Sequence, residues 1–129
     1  MILLDSHVLI WALADAKRLS KAAASAIRRA RRSDGLAVSA ITAYEVAWQI
    51  ASGRIRGYGT VETAVFRLLE GVTMRPITPE IAALAAQFPD DYPRDPADRI
   101  IGATARAEGI TLVTRDEKIR RSPLLRTVW

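Results

Sequence analysis

Short apolar runs recurring between helix-length segments constrain this chain more than any other feature. Residues 2–4, 36–38, 72–77 and 110–114 are too short for buried helices and carry few of the residues that mark loops, which predicts four strands. The segments between them carry helix signals. Residues 8–13 are apolar over a helical length, directly after Asp5. Ser20 is a good N-cap for a segment with Ala23, Ile27 and Ala30 on one stripe and Arg28, Arg31 and Arg32 on another, stopped by Asp34-Gly35. Thr42 is expected to cap a helix running to about Ser52, closed by Gly53, and Thr60 one over 61–70. Thr78-Pro79 opens another helix with proline at its first position, where the missing N–H costs nothing. Asp95-Pro96 opens one more, ending at Gly109, and residues 127–129 suit a last strand. Buried strands alternating with helices predict βα units, hence an α/β fold: a three-layer α/β/α sandwich with a short parallel β-sheet.

At 129 residues, half of them apolar, the chain suits one domain over 1–129 with no linker. Cysteine is absent and histidine occurs once, which excludes disulfides, thiolate zinc sites and histidine-rich centres. No apolar run reaches the ~18 residues that span a bilayer, and no basic leader precedes residue 2, so a cytoplasmic protein without membrane association is expected. The net charge is +5 and the cations are overwhelmingly arginine, which suits phosphate as well as ordinary solubility.

Ligands of a parallel sheet sit beyond the carboxyl ends of its strands. Asp5 closes the first predicted strand, Asp116 follows the fourth, and Glu45 and Asp98 fall in the first turns of predicted helices at that same end. Each acid has a purely structural explanation. Asp5 and Glu45 suit helix starts, Asp95-Pro-Ala-Asp98 suits a capping arrangement, and Asp116 suits a short turn. Together they are harder to explain that way. Asp98 is in register with Ile101, Gly102 and Ala105, the stripe that should face the sheet, and clustered carboxylates need a cation among them. With only oxygen ligands to offer, the set selects a hard ion, Mg²⁺ or Mn²⁺. The matching chemistry is phosphodiester hydrolysis, in which the ion activates water and stabilises the leaving oxygen.

The same residues carry a family resemblance. Asp5-Ser6-His7-Val8-Leu9-Ile10-Trp11, Val38 to Ala47 around Glu45, Arg94-Asp95-Pro96-Ala97-Asp98-Arg99 and Leu112-Val113-Thr114-Arg115-Asp116 resemble, in order, four motifs of PIN-domain proteins. The Asp-Pro-x-Asp-Arg form and the bare domain are most similar to VapC-type toxins of bacterial toxin–antitoxin pairs. The resemblance implies endonucleolytic RNA cleavage with Mg²⁺ or Mn²⁺ held by Asp5, Glu45, Asp98 and Asp116, a homodimer, and inhibition by a cognate antitoxin. Ala97 is smaller than the bulky residue expected there.

Supporting candidates surround the acids. Asp95 is either a helix cap or an outer contact of the ion. Ser6, Ser39, Thr42 and Thr114 either orient acids and water or act as ordinary caps. His7 reads as structural. Arg99 and Arg115 either clamp RNA phosphates or pair with the neighbouring aspartates. Trp11, Tyr44, Trp48 and Phe66 are expected mostly in the core, with some free to line a partner surface. The Arg28 to Arg32 run reads as a solvated face, and Gly53 to Gly59 as a basic, glycine-punctuated loop. Two other readings fit an acidic pocket. A phosphate-accepting signalling module would want a lysine opposite its aspartate, and the only lysines are Lys17, Lys21 and Lys118. The other is an RNA-binding scaffold that does not cut.

Overall fold

The computed structural model describes residues 1–57 and 59–129. Tyr58, inside the expected basic loop, lies outside the described residues. Along the chain run β1 (Ile2–Leu4), α1 (Ser6–Ala14), a 3₁₀ turn (Ala16–Arg18), α2 (Lys21–Arg31), β2 (Leu36–Ser39), α3 (Ala40–Ala51) and α4 (Val61–Leu68). There follow β3 (Val72–Arg75), α5 (Pro79–Ala86), α6 (Pro96–Glu108), β4 (Thr111–Val113), α7 (Glu117–Arg121) and β5 (Thr127–Val128).

Most element ends follow local chemistry. The hydroxyls of Ser20, Thr60 and Thr78 accept hydrogen bonds from the N–H groups of Ala23, Thr63 and Ile81, filling donors that a helix start leaves free. Gly109 ends α6 in the left-handed conformation, with φ of 64°. Three expectations need correction. Ser39, not Thr42, caps α3, because β2 passes directly into the helix and the Ser39 hydroxyl accepts from the Ile41 N–H at 3.2 Å. Thr42 is therefore buried inside the helix, and Glu45 lies in its second turn rather than its first. The strand expected over 72–77 stops at Arg75, because Pro76 has no N–H to give to a ladder. Asp116 starts not a turn but the helix α7, whose Ile119 N–H it accepts at 3.0 Å.

The strands form one sheet in the order β3-β2-β1-β4-β5, with every pairing parallel. Successive side chains of a strand point to opposite faces, and this divides the core. Leu3, Ala37 and Leu112 pack with Ile81, Phe88, Tyr92 and Ile101 beneath α5 and α6. Leu4, Val38 and Val113 pack with Val8, Leu9, Ile27 and Val46 beneath α1, α2 and α3. The result is the expected three-layer α/β/α sandwich. Tyr44, Trp48 and Phe66 are exposed rather than core, because α3 turns Thr42 and Val46 inward and leaves Tyr44 and Trp48 on the other side, while α4 buries Ala64 and leaves Phe66 outside. From β1 the chain builds β2 and β3 to one side and returns to β4 and β5 on the other. A crevice for ligands opens at such a reversal, at the carboxyl ends of β1 and β4.

Candidate active site

Asp5 leaves β1 at this crevice and caps α1, its carboxylate accepting the Ser6 N–H at 2.8 Å. It is 2% exposed, so its charge must be met by protein donors or a cation. Thr114, the residue after β4, donates its hydroxyl to Asp5 Oδ2 at 2.7 Å and accepts the Asp116 N–H at 3.1 Å. His7 Nδ1 stands 3.5 Å from the same Oδ2. The Ser6 hydroxyl donates to Glu45 Oε1 at 2.5 Å. That uses its only proton, so in the 2.9 Å contact between Ser6 and Thr42 the Thr42 hydroxyl is the donor. A chain of hydrogen bonds thus runs from Asp116 through Thr114, Asp5 and Ser6 to Glu45. It orients the carboxylates of Asp5 and Glu45 and ties the backbone of Asp116 to them.

Asp98 is the fourth expected acid. Asp95 caps α6 by accepting the Asp98 N–H at 3.1 Å. The Asp98 side chain is partly buried beside the other acids. Loss of water, followed by the charges of Asp5, Asp95, Asp116 and Glu45, pushes its carboxyl up to about 7. Glu45 is raised as well, by burial first and then by Asp5 and Asp95, against the Ser6 hydrogen bond. The Tyr92 phenol, buried under α6, is pushed upward by burial and by Asp98, stays protonated, and donates to the Asp98 backbone carbonyl at 3.1 Å. Sequence reasoning missed Tyr92. Its only trace was Gly102, whose missing side chain makes room for the ring: a Cβ there would lie 2.8 Å from Tyr92 Cζ.

The acids share one electrostatic site but are not drawn tightly together. Among the described residues, no three His, Cys, Asp or Glu side chains stand ready to ligate a single ion directly. That spacing fits a hydrated Mg²⁺-like ion, which keeps several waters and takes one or two carboxylates directly. A set of mutually repelling, partly desolvated carboxylates is the donor chemistry such an ion requires.

Arg99 makes no salt bridge with the neighbouring aspartates among the described residues. Its guanidinium donates to the carbonyls of Phe88 (2.7 Å), Pro89 (3.1 Å) and Ala85 (3.3 Å), at the last turn of α5 and in the segment just after it. Arg115 is exposed beside the site, its guanidinium 5.8 Å from the centre of the Trp11 ring.

Comparison with known proteins identifies the family. The family model described as PIN domain matches residues 2–123. The chain is 45% identical over 130 residues to Ribonuclease VapC22 of Mycobacterium tuberculosis, covering 99% of this chain and 98% of that protein. Its fold is similar to that in the crystal structure of VapBC2 from Rickettsia felis bound to a DNA fragment from their promoter, with a TM-score of 0.71, 16% identity and coverage of 98% and 97% of the two chains. A toxin-antitoxin complex from Klebsiella pneumoniae gives a TM-score of 0.68 at 23% identity, covering 97% of this chain and 95% of that one. With the strand order, the acids at the carboxyl ends of the strands and a relative of this identity over its full length, the chain belongs to the PIN-domain family, in its VapC group.

Proposed function

We propose that the chain is an Mg²⁺- or Mn²⁺-dependent endoribonuclease, the toxin of a toxin–antitoxin pair, working in the cytoplasm as a homodimer with residues 1–129 as one nuclease unit. Asp5, Glu45, Asp98 and Asp116 hold the ion, with Asp95 fixing the start of α6 and Ser6, Thr42 and Thr114 orienting the acids. The observation that carries this reading is Asp98, a carboxyl raised to about 7 by burial and by four neighbouring acids. Such a group is costly to keep ionised near neutral pH unless a cation joins it. When bound, a hard divalent ion activates water for attack on phosphorus and stabilises the departing oxygen.

The chain's own residues prepare the site. Thr114 and the Ser6 N–H hold the Asp5 carboxylate in one orientation, and the Ser6 hydroxyl aims Glu45. Among the described residues no helix is long and apolar enough to cross a membrane. The exposed Tyr44, Trp48 and Phe66 supply apolar surface suited to protein partners.

The reading is tested with purified protein and a labelled RNA, comparing Mg²⁺, Mn²⁺ and chelator. Wild type should cut only with metal, and Asp5→Ala and Asp98→Ala should cut at a rate at least about 100-fold lower, given what removal of one transition-state stabilising group typically does, while keeping a folded circular dichroism spectrum. Metal-dependent cleavage persisting in both variants rejects the assignment.

A further inference from the structure

Beside the acids lies a group of side chains that the metal chemistry does not use. Trp11 projects from α1, one turn beyond His7, whose ring meets it edge-on at 4.8 Å between centroids. The Arg18 guanidinium lies 4.4 Å from the centre of the Trp11 ring, and Arg115 approaches the same ring at 5.8 Å. Trp129, immediately after β5, comes within 5.9 Å of Trp11 at an interplanar angle of 56°. Arg115 and Trp129 each follow the carboxyl end of a parallel strand, so they stand at the same sheet edge as Asp5 and Asp116. Next to Trp129 a hollow of about 650 Å³ opens between α7 and β5, and Arg120 lines it.

Three features set this group apart from a scatter of surface charge. Arg18 and Arg115 are exposed and come from distant parts of the chain, yet both stand over one indole. Neither takes part in a salt bridge with a carboxylate among the described residues, whereas Arg75 and Arg121 each do. A guanidinium held over an indole keeps its fork of N–H donors free for an anion. The location matters too, since Arg115 lies between Thr114, which holds Asp5, and Asp116. An arginine pair on an aromatic platform at the mouth of an acidic pocket matches what an unpaired nucleic acid strand needs: cations for its phosphates and rings for its bases.

From this geometry we propose that Trp11, Arg18 and Arg115 form a clamp for the single-stranded RNA segment flanking the scissile phosphate, continued by Trp129 and Arg120. Arg18 and Arg115 each take a phosphate beside the indole, and Trp11 acts as a positioning residue that holds both. The strand leaves the acid pocket along the β4–β5 side of the sheet. This inference rests on the nuclease reading and names how that site takes its substrate.

The test measures binding without cleavage. A short fluorescein-labelled, unstructured RNA is titrated with the protein in chelator, and anisotropy is followed over a series of KCl concentrations. Arg18→Ala and Arg115→Ala should each weaken binding about 3- to 10-fold, and each should flatten the slope of log affinity against log salt by roughly 0.7, the amount expected for one lost phosphate contact on a single strand. Trp11→Leu should weaken binding, and Arg18→Ala added to it should then change little. Trp11→Phe, which keeps a ring, should retain most of the affinity and serves if Trp11→Leu does not fold. Arg67→Ala, on α4 beside Met74 at the opposite sheet edge, should bind as wild type does. Affinities and salt slopes unchanged in both arginine variants, or wild type that binds no RNA, would overturn the clamp. Wild type that binds through the clamp but cuts nothing with Mg²⁺ or Mn²⁺ would instead count against the nuclease reading alone.

Discussion

A single carboxyl shows how the site is tuned. Asp98 ordinarily loses its proton near 3.8, but in the folded chain it holds it to about 7. The folded state therefore binds more protons than the unfolded state between those values, and stability must fall as pH rises through that window. Without metal, the melting temperature should be higher at pH 5 than at pH 8, each kcal/mol being worth roughly 3–6 °C in a chain of this size. Mg²⁺ or Mn²⁺ should restore the loss at pH 8. Asp98→Asn removes the charge while keeping the shape, so it should melt higher than wild type at pH 8 in chelator, gain nothing from metal, and fail to cleave RNA. Calorimetry across pH, with and without metal, checks all of these, and a flat profile for wild type would contradict the cause assigned to the shift.

At the scale of elements, the position of α6 sets the position of Asp98. The helix sits close over Tyr92 because Gly102 has no side chain: an added Cβ would fall 2.8 Å from Tyr92 Cζ and 3.2 Å from Phe88 Cε2. Tyr92 is wholly buried and hydrogen-bonded, so it cannot swing aside. Gly102→Ala should therefore destabilise the fold by about 1–3 kcal/mol, as overpacking does, and should lower RNA cleavage by lifting α6 from the sheet. Urea denaturation and a cleavage assay read the two effects. The end of α5 depends on Arg99, whose three carbonyl contacts bind it to the α6 helix. That role was not legible in sequence, since the partners lie 10 to 14 residues away and are backbone atoms without a side-chain signature.

For the whole molecule, the two cores on the faces of the sheet account for stability, and the remaining apolar surface points to partners. Phe66 is 70% exposed and Tyr44 65% exposed. Phe66→Asp should shift the folding free energy of the isolated chain by no more than about 0.5 kcal/mol, the usual range for surface substitutions. Thermal denaturation at low protein concentration checks this, and a larger loss would mean that the ring is covered in a self-associated form.

Sequence alone determined what depends on near neighbours. The caps at Ser20, Thr60, Thr78 and Asp95 and the stop at Gly109 are decided within about four residues, the span over which a side chain reaches the backbone of its own helix or turn. The placement of Asp5, Glu45, Asp98 and Asp116 at one sheet edge followed from strand ends and parallel topology. Where two local rules competed, as for Ser39 and Thr42, the reading slipped by one helical turn. Only the tertiary structure decided the rest. Ser6 meets Glu45 across 39 residues and Thr114 meets Asp5 across 109, and no local pattern encodes which such pairs the fold will join. The raised Asp98 carboxyl, the burial of Tyr92 and the two arginines over Trp11 depend on desolvation and charge summed over distant segments, quantities that exist only once the chain has folded.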